Sequence, residues 1–109
     1  MRRSLLLLAL AAAVASAPAA RAAESAQPAK ALYDQKCGAC HGEVGMGTGL
    51  LARRMAPAVA PLEKRDNLTA PYVIRAARIG LGNMPAITRG DVSDAEMARI
   101  ADYLAKVKP

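Results

Sequence analysis

The pentapeptide Cys37-Gly38-Ala39-Cys40-His41 contains every cysteine and the single histidine of the 109-residue chain. Two cysteines three positions apart, with a histidine directly after the second, match the signature for covalent attachment of a c-type haem. On a short turn of helix the two thiols can reach the two vinyl groups along one side of a porphyrin, and the adjacent imidazole can donate a nitrogen to the iron. The motif therefore predicts one haem c, attached through Cys37 and Cys40 and ligated by His41.

Three other interpretations of the pentapeptide remain open. A structural zinc site needs about four ligands, whereas these five residues supply three. A thioredoxin-like redox pair is expected within a βαβ unit, and no run with β periodicity flanks the motif. A plain structural disulfide between the two cysteines is the third. Covalent haem attachment is the interpretation favoured by the motif.

The aromatic composition points in the same direction. The chain has no Phe and no Trp, and its 3 tyrosines are its only aromatic residues. Aromatic rings usually dominate core burial, and a domain this small usually needs a staple such as a metal or a disulfide. A buried porphyrin would supply a large apolar plate and a covalent anchor, so the composition is consistent with a haem at the core.

The N-terminal residues 1–22 match a cleaved secretory signal peptide. Arg2 and Arg3 precede an apolar run at 5–15, and the Ala-Arg-Ala sequence at 20–22 offers a small-x-small cleavage pattern. The apolar run is shorter than the roughly 20 residues that a membrane span needs, so a retained anchor is the weaker alternative. We therefore expect a periplasmic protein with one haem domain at residues 23–109 and no membrane span after cleavage.

Signal cleavage also changes the charge of the protein. The full chain has 15 Lys and Arg against 9 Asp and Glu, a net charge of +6, and removal of 3 arginines with the signal leaves 12 against 9, or +3. The mature domain thus lacks the strong basic excess of a nucleic-acid-binding protein. No nucleic-acid partner is predicted.

Apolar residues at three- and four-residue spacing predict three helices, of which the first covers residues 29–40 and leads into the pentapeptide. Residues 41–49 contain four glycines and are predicted to form a loop in which the backbone passes close to a bulky group. Residues 50–65 are predicted to be irregular, and residues 81–90 to form a further loop.

The other two helices have recognisable ends. Thr69 is a predicted N-cap with Pro71 in the first turn, and Gly80 is predicted to end this second helix. Ser93 begins the last helix, where Glu96 completes a capping box. The predicted buried faces are Tyr72, Val73, Ala76 and Ile79 on the second helix, and Met97, Ile100, Ala101, Leu104 and Val107 on the last.

Three segments resemble those of small bacterial class I cytochromes c. They are the helix end and haem motif at 32–42, Gly-Leu-Gly-Asn-Met-Pro at 80–85, and the capped last helix at 92–104. The resemblance implies an all-α class I cytochrome c fold, with three to four short helices and glycine- and proline-rich loops around one covalently bound haem. It also implies that the first and last helices cross at right angles, with Tyr103 at the contact and Ala29 where glycine is common.

The resemblance also implies roles for residues around the haem. Members of the family usually have a proline after the haem motif whose carbonyl accepts the imidazole N–H, and Thr48 or Gly49 stands in that place here. Arg53 matches an arginine that often meets a haem propionate. The overall likeness is to cytochromes that serve as electron acceptors or subunits of periplasmic dehydrogenases, including flavin- and quinone-dependent ones.

Met84 is the predicted sixth ligand of the iron, since cytochromes c commonly use Met/His ligation. Met84 follows a helix end, lies 43 residues after His41, and precedes Pro85, which restricts its backbone. Met46 is too close to His41 to reach the other side of the ring, and Met97 lies on a buried helix face. Met55 is the remaining rival.

These features predict a one-electron carrier, not an enzyme, that passes electrons from a dehydrogenase or quinol oxidoreductase to a further acceptor. Its expected partners are redox proteins, namely a dehydrogenase, an oxidase or another cytochrome, and it would act as a monomer or as a subunit of a hetero-complex. The alternatives are a dedicated haem subunit of a flavin- or quinone-dependent dehydrogenase, a haem protein with an open ligand-binding site, and a thiol or copper redox protein.

Basic residues outnumber acidic ones between the two predicted axial ligands. If they line the haem edge, they would steer the protein to an acidic partner; the alternative is a scattered, solvated surface. These basic residues are Arg53, Arg54, Lys64, Arg65, Arg75 and Arg78, and Arg89 follows five residues after Met84.

Overall fold

The structure is a computed structural model that describes residues 26–106. The predicted signal peptide at residues 1–22 and Val107 of the last helix lie outside the described residues.

Residues 26–106 form five α-helices joined by loops. No strand is found in this range apart from an isolated antiparallel bridge between Leu81 and Met84, so the all-α prediction is confirmed. The helices exceed the expected three to four because the first is divided and the glycine-rich loop contains a short one. They are α1 (Ala29–Lys36), α2 (Gly38–His41), α3 (Met46–Leu51), α4 (Ala70–Ile79) and α5 (Asp94–Lys106), with 3₁₀ turns at Pro57–Val59 and Leu62–Lys64.

The predicted continuous helix at 29–40 is wrong in one respect, because it is interrupted at Cys37. This residue has φ −125° and ψ −24°, outside helical geometry. Its N–H still bonds to the Tyr33 carbonyl at 2.8 Å, and its own carbonyl accepts from Cys40 and His41 at 3.1 and 2.9 Å. A break of one residue leaves the three- and four-residue spacing unchanged, so periodicity cannot detect it.

The buried core is formed where α5 packs against α1 and α4. Tyr33 of α1 and Tyr103 of α5 meet with ring centroids 5.9 Å apart and an interplanar angle of 44°. The predicted aromatic contact between the first and last helices is thus confirmed. The core cluster consists of Leu32, Tyr33, Leu68, Ala77, Val92, Met97, Ile100 and Leu104.

Both predicted N-termini of the later helices are confirmed. Thr69 caps α4 by accepting a hydrogen bond from the Tyr72 N–H at 3.4 Å. At the start of α5, the Ser93 N–H donates to Glu96 Oε2 at 2.7 Å, and the Glu96 N–H donates to Ser93 Oγ at 3.2 Å. This reciprocal pair is the capping box. The apolar face predicted for this helix is buried as far as the described residues extend, at Met97, Ile100, Ala101 and Leu104.

The predicted buried face of α4 is wrong in part. Ala77 is the buried residue of this helix, and Val73 packs beside it against the core. Tyr72 and Ile79 are 48% and 59% exposed. The apolar arc of α4 is wider than the protein core that it contacts, so one stripe is buried by α5 and the neighbouring stripe is left uncovered.

Candidate haem site

The two cysteines of the pentapeptide are free thiols in different surroundings. Cys37 is half-buried and packs against the core cluster, whereas Cys40 is exposed. Burial, followed by the charge of nearby Cys40, raises the pKa of Cys37 to about 11. Reactive redox thiols have lowered pKa values, so this environment does not favour the thiol-redox alternative.

His41 ends α2 and has a half-buried imidazole. Burial lowers its pKa, which favours the neutral ring that binds metals. Its Nδ1 is buried and has no hydrogen-bond partner among residues 26–106. Nδ1 lies against the loop at Gly47, so Nε2 is the ring nitrogen that would bind a metal.

The loop after the pentapeptide packs tightly against the imidazole. A Cβ added at Gly47 would lie 3.2 Å from His41 Cε1 and 3.3 Å from Nδ1, so only glycine allows this approach without displacement. The predicted acceptor for Nδ1, the carbonyl of Thr48 or Gly49, is wrong. The Thr48 carbonyl instead accepts from the Ala52 N–H at 2.9 Å. The Thr48 hydroxyl donates through Oγ1 to the Gly42 carbonyl at 2.7 Å and so holds the loop to the first turn of α3.

Sequence reasoning missed a second hydroxyl that acts on this loop. Tyr33 is 1% exposed, and its hydroxyl donates to the His41 carbonyl at 3.0 Å. Burial raises the pKa of Tyr33, so the hydroxyl stays protonated and able to donate. A buried tyrosine usually finds a polar partner, so the sequence indicated that an acceptor was needed but not which one.

Met84 is held in a short turn on the C-terminal side of α4. The Leu81 N–H donates to the Met84 carbonyl at 3.1 Å, and the Met84 N–H donates to the Leu81 carbonyl at 2.9 Å. Gly80, with φ 81°, precedes this turn, and a Cβ on it would lie 2.7 Å from the Met84 carbonyl oxygen. The turn therefore depends on glycine at position 80.

Met84 and Cys37 are both half-buried and pack against the same core cluster. The other candidate sixth ligands are less suited by their burial or their position. Met97 is 3% exposed inside the core, as predicted for a packing residue, and Met46 is 70% exposed. Met55 is half-buried but does not belong to this cluster.

Uncovered apolar side chains lie close to the Met84 turn. Tyr72 and Ile79 lie seven residues apart on one face of α4, and Leu81, which pairs with Met84, is 53% exposed. A row of exposed apolar side chains marks a surface that contacts something else. Two thiols, a half-buried imidazole, a thioether and an uncovered apolar face together fit a haem c.

The basic residues between the predicted ligands, together with Arg89 just after Met84, fall into two groups. Four are engaged: Lys64 with Glu43 at 3.4 Å, Arg65 with Asn67 at 3.1 Å, and Arg78 and Arg89 with Asp94, each at 2.9 Å. The other three are exposed and make none of the ion pairs seen among residues 26–106; they are Arg53, Arg54 and Arg75.

Other kinds of site find little support in the part of the chain that the structure describes. Within residues 26–106, no three His, Cys, Asp or Glu side chains group together in a way that could bind a metal ion. That leaves the zinc alternative without a ligand set. None of the helices in this range has the length and apolar character needed to cross a membrane.

Comparison with known protein families agrees with this geometry. The family model described as cytochrome c oxidase, cbb3-type, subunit III matches residues 24–104, a range that includes the pentapeptide, the Met84 turn and nearly all of α5. Neither a curated protein nor a solved structure matches the chain. Membership in a cytochrome c family implies haem c and haem-based electron transfer. The chain belongs to this family and is a small class I monohaem cytochrome c with the all-α fold of that class.

Proposed function

We propose that this protein is a periplasmic one-electron carrier with one covalently bound haem c. Cys37 and Cys40 would hold the haem through thioether bonds, and His41 and Met84 would be its axial ligands. The observation that supports this most strongly is that Cys37 and Met84 contact the same buried cluster although they are far apart in the chain. The haem would supply one-electron exchange at iron, with thioether coordination favouring a higher potential than bis-histidine ligation.

The protein's own residues would keep the two ligands in place during electron exchange. The Tyr33 hydroxyl and the Thr48 hydroxyl bond to the carbonyls of His41 and Gly42, the residues at the end of the motif. Hydrogen bonds of Met84 with Leu81 close the turn on the other side. Ligands held on both sides change position little between oxidation states, which is what a carrier needs.

The exposed arginines would complete the site. Arg53 is proposed to pair with a haem propionate, because a planar guanidinium suits carboxylate recognition. Arg54 remains as a candidate for steering an acidic redox partner. Arg78 and Arg89 are less suited to that role than the sequence indicated, because both are paired with Asp94.

The periplasmic location is a proposal that depends on residues 1–22 acting as a signal peptide, with residues 23–109 as the mature domain. The test is the intact mass of the protein recovered from the periplasm of a host that attaches haem c. A mass equal to the cleaved polypeptide plus one haem supports both proposals. A full-length polypeptide mass contradicts cleavage.

A second candidate is a dedicated haem subunit of a larger redox complex, such as a periplasmic dehydrogenase. The observation that favours it is the family description, which names an oxidase subunit. Size-exclusion chromatography of the tagged protein, extracted gently from its native cells, separates the two functions. Haem absorbance that elutes at the size of the free domain supports the carrier, and haem that elutes only with a larger enzyme supports the subunit.

Covalent attachment is tested by replacing both cysteines with alanine. Cys37→Ala with Cys40→Ala should remove the covalent haem and leave a largely unfolded chain, since a domain of this size with so few aromatic residues needs the haem in its core. A cooperatively folded, haem-free double variant would contradict the proposal.

A further inference from the structure

Arg78 joins three parts of the fold through one side chain. It lies near the C-terminal end of α4, and its side chain is 15% exposed. Nη1 donates to the Ile87 carbonyl at 3.0 Å, while Nη2 donates to the Val92 carbonyl at 3.0 Å and to Asp94 Oδ1 at 2.9 Å. The guanidinium therefore ties α4 to the segment that carries Met84 and to the first turn of α5.

The Met84 segment, residues 80–92, has little apolar burial to hold it in place. Most of its residues are exposed; Val92 is buried, and only Met84 and Ile87 pack their side chains partly against the core. Apart from bonds within the segment, its main-chain links to α4 among residues 26–106 are the Gly80 N–H to the Ala76 carbonyl at 2.9 Å, the Ile87 N–H to the Ala77 carbonyl at 2.8 Å, and the two carbonyl contacts of Arg78. Segments with few buried contacts open locally at low free energy unless hydrogen bonds hold them.

We propose that Arg78 is a positioning residue that holds the Met84 segment against α4, and so sets how readily an external ligand displaces Met84 from the haem iron. The inference rests on the proposed function, in which Met84 is the sixth ligand. Arginine suits the task because its planar fork reaches three acceptors in different directions, whereas the ammonium of lysine is a single point on a flexible stem. These contacts also give a structural role to a positive charge for which the sequence left docking or a solvated surface open.

Imidazole binding to the ferric holoprotein tests the inference, since imidazole can bind only after Met84 leaves. Arg78→Gln removes the charge and most of the contacts, and Arg75→Gln is the matched control on the same helix, exposed and outside the ion pairs seen among residues 26–106. We expect Arg78→Gln to tighten imidazole binding about tenfold or more, because hydrogen bonds to charged groups contribute strongly. Arg75→Gln should bind imidazole as the wild type does.

Hydrogen exchange provides a readout that is independent of the iron. In Arg78→Gln, amide exchange should accelerate within residues 80–92 and stay unchanged in α1. If Arg78→Gln fails to assemble, Arg78→Lys replaces it. We expect Arg78→Lys to bind imidazole more tightly and to exchange amides faster within residues 80–92, both by smaller amounts. An assembled, six-coordinate variant with unchanged imidazole affinity and unchanged exchange overturns the inference, as does an equal change in Arg75→Gln.

The failure of the proposed function gives a different result. A wild-type haem that binds imidazole without losing a sixth ligand contradicts the role of Met84 and, with it, the inference. A six-coordinate wild type with an unaffected Arg78→Gln variant contradicts the inference alone.

Discussion

Replacing Gly80 with alanine is expected to destabilise the fold and to move Met84. Gly80 has φ 81° and ψ 156°, a region that is essentially restricted to glycine and that costs another residue about 1–3 kcal/mol. A Cβ would also lie 2.7 Å from the Met84 carbonyl oxygen and 2.9 Å from the Ala86 nitrogen. Both are backbone atoms, so the overlap is relieved only by moving the turn, at about 1–3 kcal/mol more. We expect the free energy of unfolding to fall by about 2–6 kcal/mol.

Two other glycines provide matched controls for this change. Gly82 has φ 56° and no atom within 4 Å of an added Cβ. Gly82→Ala should therefore lower the free energy of unfolding by only about 1–2 kcal/mol. Gly49 lies within α3 and also has open space around it. Gly49→Ala should therefore raise the free energy of unfolding by about 0.5–1 kcal/mol.

Urea unfolding of the Gly80→Ala, Gly82→Ala and Gly49→Ala holoproteins, followed by circular dichroism and by the visible spectrum, measures their order of stability. The visible spectrum of Gly80→Ala should also show loss of methionine ligation, because its clash moves the Met84 backbone. If Gly80→Ala is no less stable than Gly82→Ala, the argument from the close approach of Gly80 to the Met84 turn is refuted.

Three further outcomes are expected. Met84→Leu should abolish six-coordinate ligation and change the reduction potential, while Met55→Leu should leave the visible spectrum intact; the reverse result would make Met55 the ligand. Tyr33→Phe removes the hydroxyl that donates to the His41 carbonyl at 3.0 Å and should lower the free energy of unfolding by about 1–3 kcal/mol; an unchanged urea midpoint would argue against this role. Burial, followed by a hydrogen bond to a carboxylate, raises the pKa of Tyr103 from 10.0 to about 12. The stabilisation that the protonated Tyr103 hydroxyl provides is therefore fully present below pH 10 and is lost as the pH rises towards 12. Urea midpoints measured across that window should fall less steeply in Tyr103→Phe, and equal slopes would contradict the assignment.

The ends of the later helices could be predicted because the signals that determine them are local. The Thr69 cap, the glycine at position 80 and the Ser93–Glu96 capping box each act within one turn of the chain. The buried face of α5 was also predictable, since a single apolar stripe on this helix faces a single core.

The face of α4 could be predicted only in part. Its sequence shows how wide the apolar arc is, but not how that arc is divided between the protein core and another apolar surface. Ala77 packs inward, while Tyr72 and Ile79 remain uncovered. In the proposed function the second stripe would contact the haem, so periodicity alone cannot identify the stripe that faces the protein.

The contacts that hold the loops could not be predicted, because they join residues distant in the sequence. Arg78 reaches the carbonyl of Val92, 14 residues away, and the Tyr33 hydroxyl reaches the His41 carbonyl. Composition suggested a docking role for the arginine and a packing role for the tyrosine. The acceptors are main-chain oxygens, which carry no signature in the sequence.

The visible spectrum of the purified holoprotein, recorded oxidised and reduced with and without carbon monoxide, tests the central claim most directly. Attachment through Cys37 and Cys40 with His41 and Met84 as axial ligands predicts a six-coordinate, low-spin c-type spectrum that carbon monoxide does not change. A five-coordinate spectrum, or one that shifts on addition of carbon monoxide, would contradict the closed iron site, and the absence of a haem band would contradict haem binding altogether.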